Sequence, residues 1–553
     1  MIDHLPILVI ITPLIFATIV ALLDSVGVKS SRLHNIIVLG GLALPLFYIA
    51  ALFNQLSAGP IEYYLGGWRK PYGITLVVDH LSLTLALTTT ILTFLCYVYS
   101  VSYRERLDIG GYRFFFLVMA TGLYGVFLTG DIFNLYVFFE ITVIATYILI
   151  IFSGRKISLK ASFNYLVLGT LACFLFLLAI GLIYYNTGVL NVAEISVRIG
   201  KVSVNYQMII FVLLFGAVGI KAAVIPFHFW LPDAHGTAPS PISAILSGIT
   251  VKIGVYVLLK TYALGFTLPW LKELVITLGA ITALIGVIAA LAQYDMKRIL
   301  AYHTISQIGY IVVGIGIATS LGVTAAVYHT VNHAIFKALL FLCAGSLFWA
   351  TRTRDIRGYS VGMSMPITML TCVVASLSIS GIPPFNGYVS KSLIFASVQA
   401  YPVIWLILII ATIGTAASFL KIIYYSFVKS DNEKRAKEVP LSMQFPMLVL
   451  ASLCVILGIM PNLLLSNFML PAAESVLVIP IELTVDFSKL FVWNIAVVEI
   501  LIVVFGILLL KLTMIKSEAI LRFRDKMRIE LNLGLFFIVL ILAVIAVIFR
   551  MHV

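Results

Sequence analysis

Seven ionisable side chains lie inside long apolar runs of the sequence, where a charge has no bulk water to solvate it. A charge at the centre of a bilayer costs on the order of 3 kcal/mol or more, so such residues usually face an internal path and take part in transport. Burial disfavours the ammonium form of lysine, whereas a nearby carboxylate favours it. A carboxylate that moves relative to a buried lysine would therefore load or unload a proton without a cofactor. The seven candidate site residues are Glu140, Lys221, Lys252, His329, His333, Lys337 and Lys391.

The two histidines precede Lys337 at spacings of eight and four residues, which places all three on one face of a helix. His329 and His333 have helical spacing for a metal site, but no cysteine or carboxylate near them completes one, so we expect no metal. A proton relay is favoured for the pair, and a hydrogen-bonded packing role stays open.

Other roles are open for some of the charged residues. Glu140 and Lys221 could form a purely structural ion pair. Lys260 and Lys421 lie nearer the ends of their apolar runs, and we interpret them as lysines that extend to the membrane surface without a further function.

The composition defines the elements that must position these residues. Of the 553 residues, 62% are hydrophobic and 11% are charged, whereas a soluble domain carries about 25% charged residues. Apolar runs of 18 or more residues recur along the chain, and each can cross a bilayer as a helix with its backbone hydrogen bonds satisfied. We therefore predict an all-α polytopic membrane protein with about sixteen transmembrane helices.

The cysteines and the charges exclude several functions. The five cysteines are scattered singly and no glycine-rich nucleotide loop is present, so we expect no redox centre and no bound cofactor. The first apolar run lacks the flanks of a signal peptide and is expected to remain as a span. The net charge of +13 is concentrated in alternate loops, which indicates membrane topology rather than nucleic-acid binding. By the positive-inside rule these loops are cytoplasmic and both termini lie outside.

Two apolar runs are interrupted in the same way, at Ile225-Pro226-Phe227 and at the stretch from Gly381 to Gly387, which contains two prolines. Proline opens a helix, and an open helix at membrane depth is tolerated only where it lines a cavity or is buried in protein. The two interrupted runs are the seventh and twelfth. Because they are an odd number of spans apart, they cross the membrane in opposite directions, which predicts two inverted repeats with one broken helix each. Two unrelated proline kinks are the alternative.

We divide the chain into four parts on this basis. They are residues 1–112 with helices 1–3, residues 113–263 with the first repeat, residues 270–428 with the second repeat, and residues 429–553. The last part contains helices 14 and 15, a connector at 515–532 and helix 16 at 533–549. The connector is basic and amphipathic, and it either lies on the membrane surface or forms a solvated loop.

Three motifs identify a resemblance. They are the stretch from Lys221 through Pro226-Phe-His-Phe-Trp-Leu-Pro-Asp-Ala-His to Lys252-Ile-Gly-Val-Tyr, then Asp295-Met-Lys-Arg-Ile-Leu-Ala-Tyr, then Leu377-Ser-Ile-Ser-Gly-Ile-Pro-Pro-Phe-Asn-Gly-Tyr-Val-Ser-Lys. Together they resemble the antiporter-like membrane subunits shared by respiratory complex I, the Mrp antiporters and the membrane-bound hydrogenases.

The resemblance implies a fourteen-helix core, two inverted five-helix bundles and a hydrated polar axis at mid-membrane. It implies that Glu140 and Lys221 are the modulating pair of a first half-channel and that Lys252 is the central connection. Lys337 with the two histidines would form a bridge, and Lys391 would end the second half-channel, where some relatives carry glutamate. The helices beyond the core resemble a short form of the lateral helix that clamps a neighbouring subunit.

The expected function is proton translocation by a membrane subunit of a larger ion-pumping complex, either a Mrp-type antiporter or a complex I-like oxidoreductase. Sodium ions remain an alternative to protons. The expected partners are other membrane subunits and lipids, without nucleic acid, in the plasma membrane of a prokaryote. A self-sufficient Na⁺/H⁺ antiporter and a structural clamp subunit with a vestigial polar axis are the rival functions.

Overall fold

A computed structural model describes residues 4–103, 110–429, 436–477 and 504–509. These residues are helical almost throughout, which confirms the predicted fold class. The helices are α1 (Leu5–Ser25), α2 (Ser31–Gln55), α3 (His80–Ser100), α4 (Gly110–Leu128), α5 (Ile132–Ile151), α6 (Lys156–Thr187), α7 (Val192–Ile199), α8 (Val204–Ala222), α9 (Trp230–Thr237), α10 (Ser240–Ile245), α11 (Lys252–Ala263), α12 (Leu271–Leu291), α13 (Met296–Ile317), α14 (Ser320–Thr351), α15 (Pro366–Ser380), α16 (Asn386–Ser397), α17 (Pro402–Ile423), α18 (Leu441–Ile459), α19 (Pro461–Leu464) and α20 (Leu470–Leu477).

Thirteen of the helical segments in the described part are long and apolar enough to cross a membrane, so the chain is an integral membrane protein. The interrupted pair α15 and α16 covers the predicted twelfth crossing. The predicted spans at 488–511 and 533–549 and the connector at 515–532 lie outside the described residues, apart from helical residues 504–509. Within that short piece, Gly506 lies against Ala416 of α17.

A small antiparallel hairpin is the exception to the all-helical prediction. Strand β1 (Ile61–Tyr64) pairs with β2 (Thr75–Val78), with Ile61 opposite Val78. β-branched and aromatic residues dominate both strands, as is usual for strands. The hairpin joins α2 to α3.

Five chain segments, some of them helix ends and some connections, meet around one cavity and therefore lie at the same face of the molecule. The cavity is lined by residues within 56–80, 129–130, 191–196, 260–263 and 471–475. Alternating membrane crossings require these segments to share a face. That this face is the outer one remains a prediction from the charge pattern.

The seventh predicted span is broken, as expected. Helix α8 ends at Ala222, the next residue Ala223 has a left-handed backbone with φ of 55°, and α9 begins at Trp230. The indole N–H of Trp230 donates to the carbonyl of Ile220 (2.7 Å), and the N–H of Ile225 donates to Thr282 Oγ1 (3.1 Å). Backbone groups freed by the break are thus paired inside the protein, which is what a break at membrane depth requires.

The twelfth predicted span is broken too. Helix α15 ends before Gly381, whose φ of 82° is in the region that glycine adopts readily, and α16 begins at Asn386. A Cβ at Gly387 would collide with the carbonyl of Ser378, so the two half-helices approach too closely for a larger residue. Both predicted breaks are therefore confirmed, while the inverted-repeat relation between them remains a prediction.

A third interruption was not predicted. The sequence indicates one regular helix over 241–263, but the turn Leu246–Thr250 between α10 and α11 is a π-helix. A π turn shifts the backbone hydrogen bonds by one residue, which is common at functional sites. This turn packs against α14, a largely buried helix that also contacts α10, α13, α15, α16 and α18.

Candidate functional site

Lys221 lies in the last turn of α8, directly before the first break, and is 1% exposed. Its ammonium donates to the hydroxyl of Tyr165 on α6 at 2.8 Å. The nitrogen also lies 5.0 Å from the ring centroid of Phe139 and 5.3 Å from that of Tyr165. Aromatic faces stabilise a desolvated cation, so this lysine is held by a neutral oxygen and by π electrons.

Glu140 follows Phe139 on α5 and is half-buried. Its carboxylate interacts with the thiol of Cys173 on α6, which also lies within electrostatic range of Lys221. Glu140 and Lys221 do not form an ion pair within 4.0 Å, although both belong to the described chain. The structural ion pair considered from the sequence is thus not formed in this structure, and we call Glu140, Tyr165, Cys173 and Lys221 the first cluster.

Lys252 is the first residue of α11 and is fully buried. Its ammonium donates to the carbonyl of Ser247 in the π turn at 2.5 Å. The Ser247 hydroxyl is hydrogen-bonded to Thr304 Oγ1 on α13 at 2.7 Å, and Thr304 Oγ1 donates to the carbonyl of Leu300 at 3.1 Å. The π turn thus connects the lysine to α13.

Lys337 lies in the middle of α14 and is also fully buried. Its ammonium donates to the same Leu300 carbonyl that accepts from Thr304. Lys252 and Lys337 therefore both bind backbone carbonyls of one small group of residues, Ser247 and Leu300, which the hydroxyls of Ser247 and Thr304 tie together.

The two histidines extend this series along α14. Nδ1 of His329 is hydrogen-bonded to Ser390 Oγ (2.9 Å), and its Nε2 to Gln307 Oε1 (3.0 Å). The rings of His329 and His333 are stacked, with centroids 6.2 Å apart and planes inclined by 13°, which confirms their shared helix face. Both ring nitrogens of His333 are buried and have no hydrogen-bond partner among the described residues.

Lys391 lies on α16 next to Ser390 and is 3% exposed. Its ammonium donates to the carbonyl of Ile379 in the last turn of α15 at 2.8 Å and lies 5.2 Å from the ring centroid of Tyr310. We call the series of Lys252, Lys337, His333, His329 and Lys391 the central row.

The structure thus places the seven predicted residues in two groups, with Glu140 and Lys221 in the first cluster and the other five in the central row. None of the four lysines faces lipid, since each is at most 3% exposed. No three His, Cys, Asp or Glu side chains within the described ranges lie close enough together to hold a metal ion.

The interpretation of Lys260 and Lys421 as surface-reaching lysines is wrong. Lys260 forms an ion pair with Asp79 (2.9 Å), in which the two side chains are only 17% and 7% exposed. Lys421 is 1% exposed, and its ammonium donates to the carbonyls of Leu291 (2.7 Å) and Gln293 (2.8 Å) at the end of α12. Position along a span does not reveal which neighbouring helix covers a side chain, and here the neighbours bury both lysines.

Sequence reasoning also missed the neutral partners of the charged residues. They are ordinary hydroxyl, amide and carbonyl groups, which carry no sequence signal when they lie on a different helix from the lysine or histidine that they bind. Of these, only Ser390 could have been noticed, because it adjoins Lys391. The side chains concerned are Tyr165, Ser247, Thr304, Gln307 and Ser390.

Comparisons with known proteins cover the whole site. Residues 129–418, which include all seven site residues, match the family model described as "NADH:quinone oxidoreductase/Mrp antiporter, TM". NADH-quinone oxidoreductase subunit N of Desulforudis audaxviator is 35% identical over 492 residues, or 84% of this chain and 97% of the relative. A Na(+)/H(+) antiporter subunit of Alkalihalophilus pseudofirmus is 34% identical over 435 residues, or 76% of this chain and 86% of the relative.

Two solved structures share the fold. One is a chain of the membrane-bound sulfane sulfur reductase, an archaeal respiratory membrane complex, with a TM-score of 0.81 and 28% identity. The other is a chain of the Mrp complex from Dietzia sp. DQ12-45-1b, with a TM-score of 0.78 and 25% identity. Each comparison covers 86% of this chain and 97% of the other.

Proposed function

Because the chain belongs to the NADH:quinone oxidoreductase/Mrp antiporter family of membrane proteins, we propose that it translocates protons as one membrane subunit of a multisubunit ion-pumping complex. The observation that carries this proposal is the bonding of the buried lysines. Lys221, Lys252 and Lys337 each donate to a neutral oxygen, and none of the three has a carboxylate within ion-pairing distance among the described residues. A buried ammonium without a counter-ion is close in energy to the neutral amine, so such a lysine exchanges protons readily.

The central row supplies a route for the proton. Lys252 and Lys337 contact the same group of residues around Ser247 and Thr304, His333 and His329 follow on the same face of α14, and Ser390 links His329 to the turn that carries Lys391. Because backbone carbonyls accept hydrogen bonds but do not pass on protons, water beside the Ser247 and Thr304 hydroxyls and at the unpartnered nitrogens of His333 would complete the route.

In this proposal the first cluster regulates the uptake and release of the proton. Glu140 lies within electrostatic range of Lys221, yet the two side chains do not form an ion pair. Movement of the carboxylate toward Lys221 would favour the ammonium, and movement away would favour proton release. Glu140 and Lys221 therefore act as the modulating pair, with the central row as the conducting part.

Protons fit this site better than sodium ions do. Hard cations bind through several oxygen ligands, usually including carboxylates. Glu140 is the single carboxylate among the seven site residues, and the central row is built from lysines and histidines. One relative is named as a sodium/proton antiporter subunit, so sodium exchange by the complex as a whole is compatible with proton transfer in this chain.

The proposed partners are the other membrane subunits of the assembly. The solved structures that share this fold are chains of multisubunit membrane complexes. We further propose that residues 113–263 and 270–428 are inverted repeats, because each contains one broken helix with a site lysine at the break, Lys221 in the first and Lys391 in the second. The termini are proposed to lie outside.

Purification of the tagged chain from native membranes in a mild detergent tests the assembly. We expect several membrane subunits to co-purify. Iron–sulfur or flavin subunits among them would identify a redox driver, whereas a Mrp-like set without redox subunits would identify an antiporter complex. Recovery of the chain alone, with Na⁺/H⁺ exchange after reconstitution, would favour the self-sufficient antiporter instead.

Proton flux into sealed vesicles, followed with a pH-sensitive dye and normalised to the amount of assembled complex, tests the chemistry. Lys337→Gln should lower the flux by about 100-fold, within the range for loss of a positioned proton-transfer group. Lys201→Gln, which changes an exposed lysine, is the matched control and should behave like the wild type. Normal flux with Lys337→Gln would show that the polar axis is vestigial.

A further inference from the structure

A cavity of about 520 Å³ opens at the face that carries the β-hairpin. Its lining includes both members of the Asp79–Lys260 ion pair and three further titratable residues, Glu62, His80 and Glu474. The charge pattern assigns this face to the outside. The proposed function assigns no role to this cavity or to its ion pair.

Asp79 uses its two carboxylate oxygens differently. Oδ1 accepts the backbone N–H of Ser82 at 2.7 Å and so caps α3, while Oδ2 accepts from the Lys260 ammonium at 2.9 Å. The helix cap needs only one oxygen acceptor, which asparagine also supplies. The second oxygen and the charge are therefore available for another role.

Lys260 lies on the same helix face as the central lysine. Lys252, Tyr256 and Lys260 are spaced by four residues on α11, so they lie above one another over a rise of about 12 Å. Tyr256 is 1% exposed, its hydroxyl donates to the carbonyl of Phe127 (2.9 Å), and the Lys260 nitrogen lies 5.4 Å from its ring centroid. The helix thus presents an ionisable or hydroxyl side chain at every turn between the central row and the cavity.

We propose that Tyr256, Lys260 and Asp79 form an outward branch through which the central row exchanges protons with water in this cavity. In the outward direction, the Lys260 ammonium gives a proton to the Asp79 carboxylate, and the resulting carboxylic acid releases it to cavity water. The neutral Lys260 amine then takes the hydroxyl proton of Tyr256, and the Lys252 ammonium replaces that proton through a bridging water. Lys252 is reprotonated from the central row, so each cycle moves one proton and restores every group, and the reverse sequence brings a proton inward. This proposal rests on the proposed function, since it needs a conducting central row.

A purely structural ion pair is the alternative, and the burial of the pair argues against it. Transfer of two charges out of water costs several kcal/mol, and well-packed apolar side chains often stabilise a protein as well or better. A pair at the boundary between a buried row and a solvent-accessible cavity has the position that proton exchange requires.

Three variants separate the roles, with flux normalised to assembled complex. Asp79→Asn keeps an acceptor for the Ser82 N–H and removes the charge, Lys260→Gln removes the ammonium, and Tyr256→Phe removes only the hydroxyl. Each should lower the flux by about tenfold or more, with normal amounts of complex for Tyr256→Phe and Asp79→Asn. Normal flux in all three variants, measured beside an inactive Lys337→Gln, would overturn the outward branch and leave the proposed function intact. Normal flux with Lys337→Gln as well would overturn the proposed function itself.

Chemical labelling tests the cavity without disturbing the pair. Ser475 lines the cavity, whereas Ser203 is exposed and does not line it. All five native cysteines are buried. Right-side-out vesicles with Ser475→Cys or Ser203→Cys are treated with a membrane-impermeant trimethylammonium-ethyl methanethiosulfonate, and labelling is verified by mass spectrometry. We expect at least a fivefold loss of flux after labelling of Ser475→Cys and no change after labelling of Ser203→Cys. Unchanged flux with labelled Ser475→Cys, or labelling only from the cytoplasmic side, would overturn the proposal.

Discussion

The ammonium of Lys391 donates a hydrogen bond of 2.8 Å to the carbonyl of Ile379, across the break between α15 and α16. A carbonyl in the last turn of a helix has no intrahelical partner and lies at the negative end of the helix dipole. The break therefore creates an acceptor for the lysine in a place where a continuous helix would offer none. Gly381 lies between the two residues with φ of 82°.

Gly381→Ala should damage both the break and the lysine site. A left-handed backbone costs a residue with a Cβ about 1–2 kcal/mol, and the added Cβ would lie 2.9 Å from Cδ of Lys391. We expect lower thermal stability of the purified complex, measured as loss of the monodisperse peak in size-exclusion chromatography after heating, and reduced proton flux. Gly200→Ala is the control, because Gly200 has an ordinary φ of −63° and open space around it. Equal stability of the two variants would contradict the role assigned to this glycine.

The broken helices could be predicted from the sequence because proline and glycine act locally. Pro226 and the Gly381–Gly387 stretch interrupt apolar runs, and loss of a backbone donor favours a break there. Proline alone does not require one, because Pro13, Pro45 and Pro446 lie inside continuous helices. The π turn at Leu246–Thr250 has no comparable local signal. It became visible only in the packed structure, where its Ser247 carbonyl accepts from Lys252.

The charged members of the site could also be identified from the sequence, because an ionisable residue in an apolar run is conspicuous. Their partners could not, because pairing between helices depends on tertiary packing. Lys337 binds a backbone carbonyl 37 residues away, and any residue type could supply that carbonyl. The same limitation explains the error at Lys260, whose partner Asp79 lies 181 residues away and caps the N-terminus of α3.

Thr304→Val tests the connection between Lys252 and Lys337. Valine has nearly the same shape as threonine but lacks the hydroxyl that joins Ser247 to the Leu300 carbonyl. We expect about tenfold lower proton flux, since a hydroxyl that would hold water between the two lysines is lost, and a stability loss of about 2 kcal/mol from two buried hydrogen bonds.

Thr330→Val is the matched control for this substitution. Thr330 is equally buried, but its hydroxyl only donates to the carbonyl of Ala326 within its own helix. Its flux should stay near the wild-type value. Equal flux in the two variants would mean that the Thr304 hydroxyl is a packing feature rather than a link.

His333→Leu separates a relay from a packing role for the stacked histidines. Neither ring nitrogen of His333 has a hydrogen-bond partner among the described residues, so leucine removes no protein hydrogen bond and relieves the burial of two polar atoms. Stability should stay the same or rise while proton flux falls by about tenfold or more. A fall in stability with unchanged flux per complex would instead support the packing role. Both quantities can be measured on the same purified complex.

The strongest prediction concerns Glu140 and Lys221. Lys221→Ala leaves the carboxylate without the cation to which it responds, and Glu140→Ala leaves the lysine with Tyr165 and Phe139 as its neighbours. Each substitution fixes one protonation state of the first cluster, so each should abolish proton flux in vesicles. The double variant should be no worse than either single variant, because residues that act as one switch are not additive.

Stability should change less than flux in this series, because Glu140 and Lys221 are not directly ion-paired and loss of one does not break a bonded charge pair. Lys201→Ala provides the control, since Lys201 is an exposed residue in the connection before α8. A substitution of Lys260 cannot serve as the control, because Lys260 is paired with Asp79. Additive losses in the double variant would show that Glu140 and Lys221 act independently. Near-wild-type flux by Lys221→Ala in a fully assembled complex would overturn the mechanism, because Lys221 is the residue whose proton Glu140 is proposed to control.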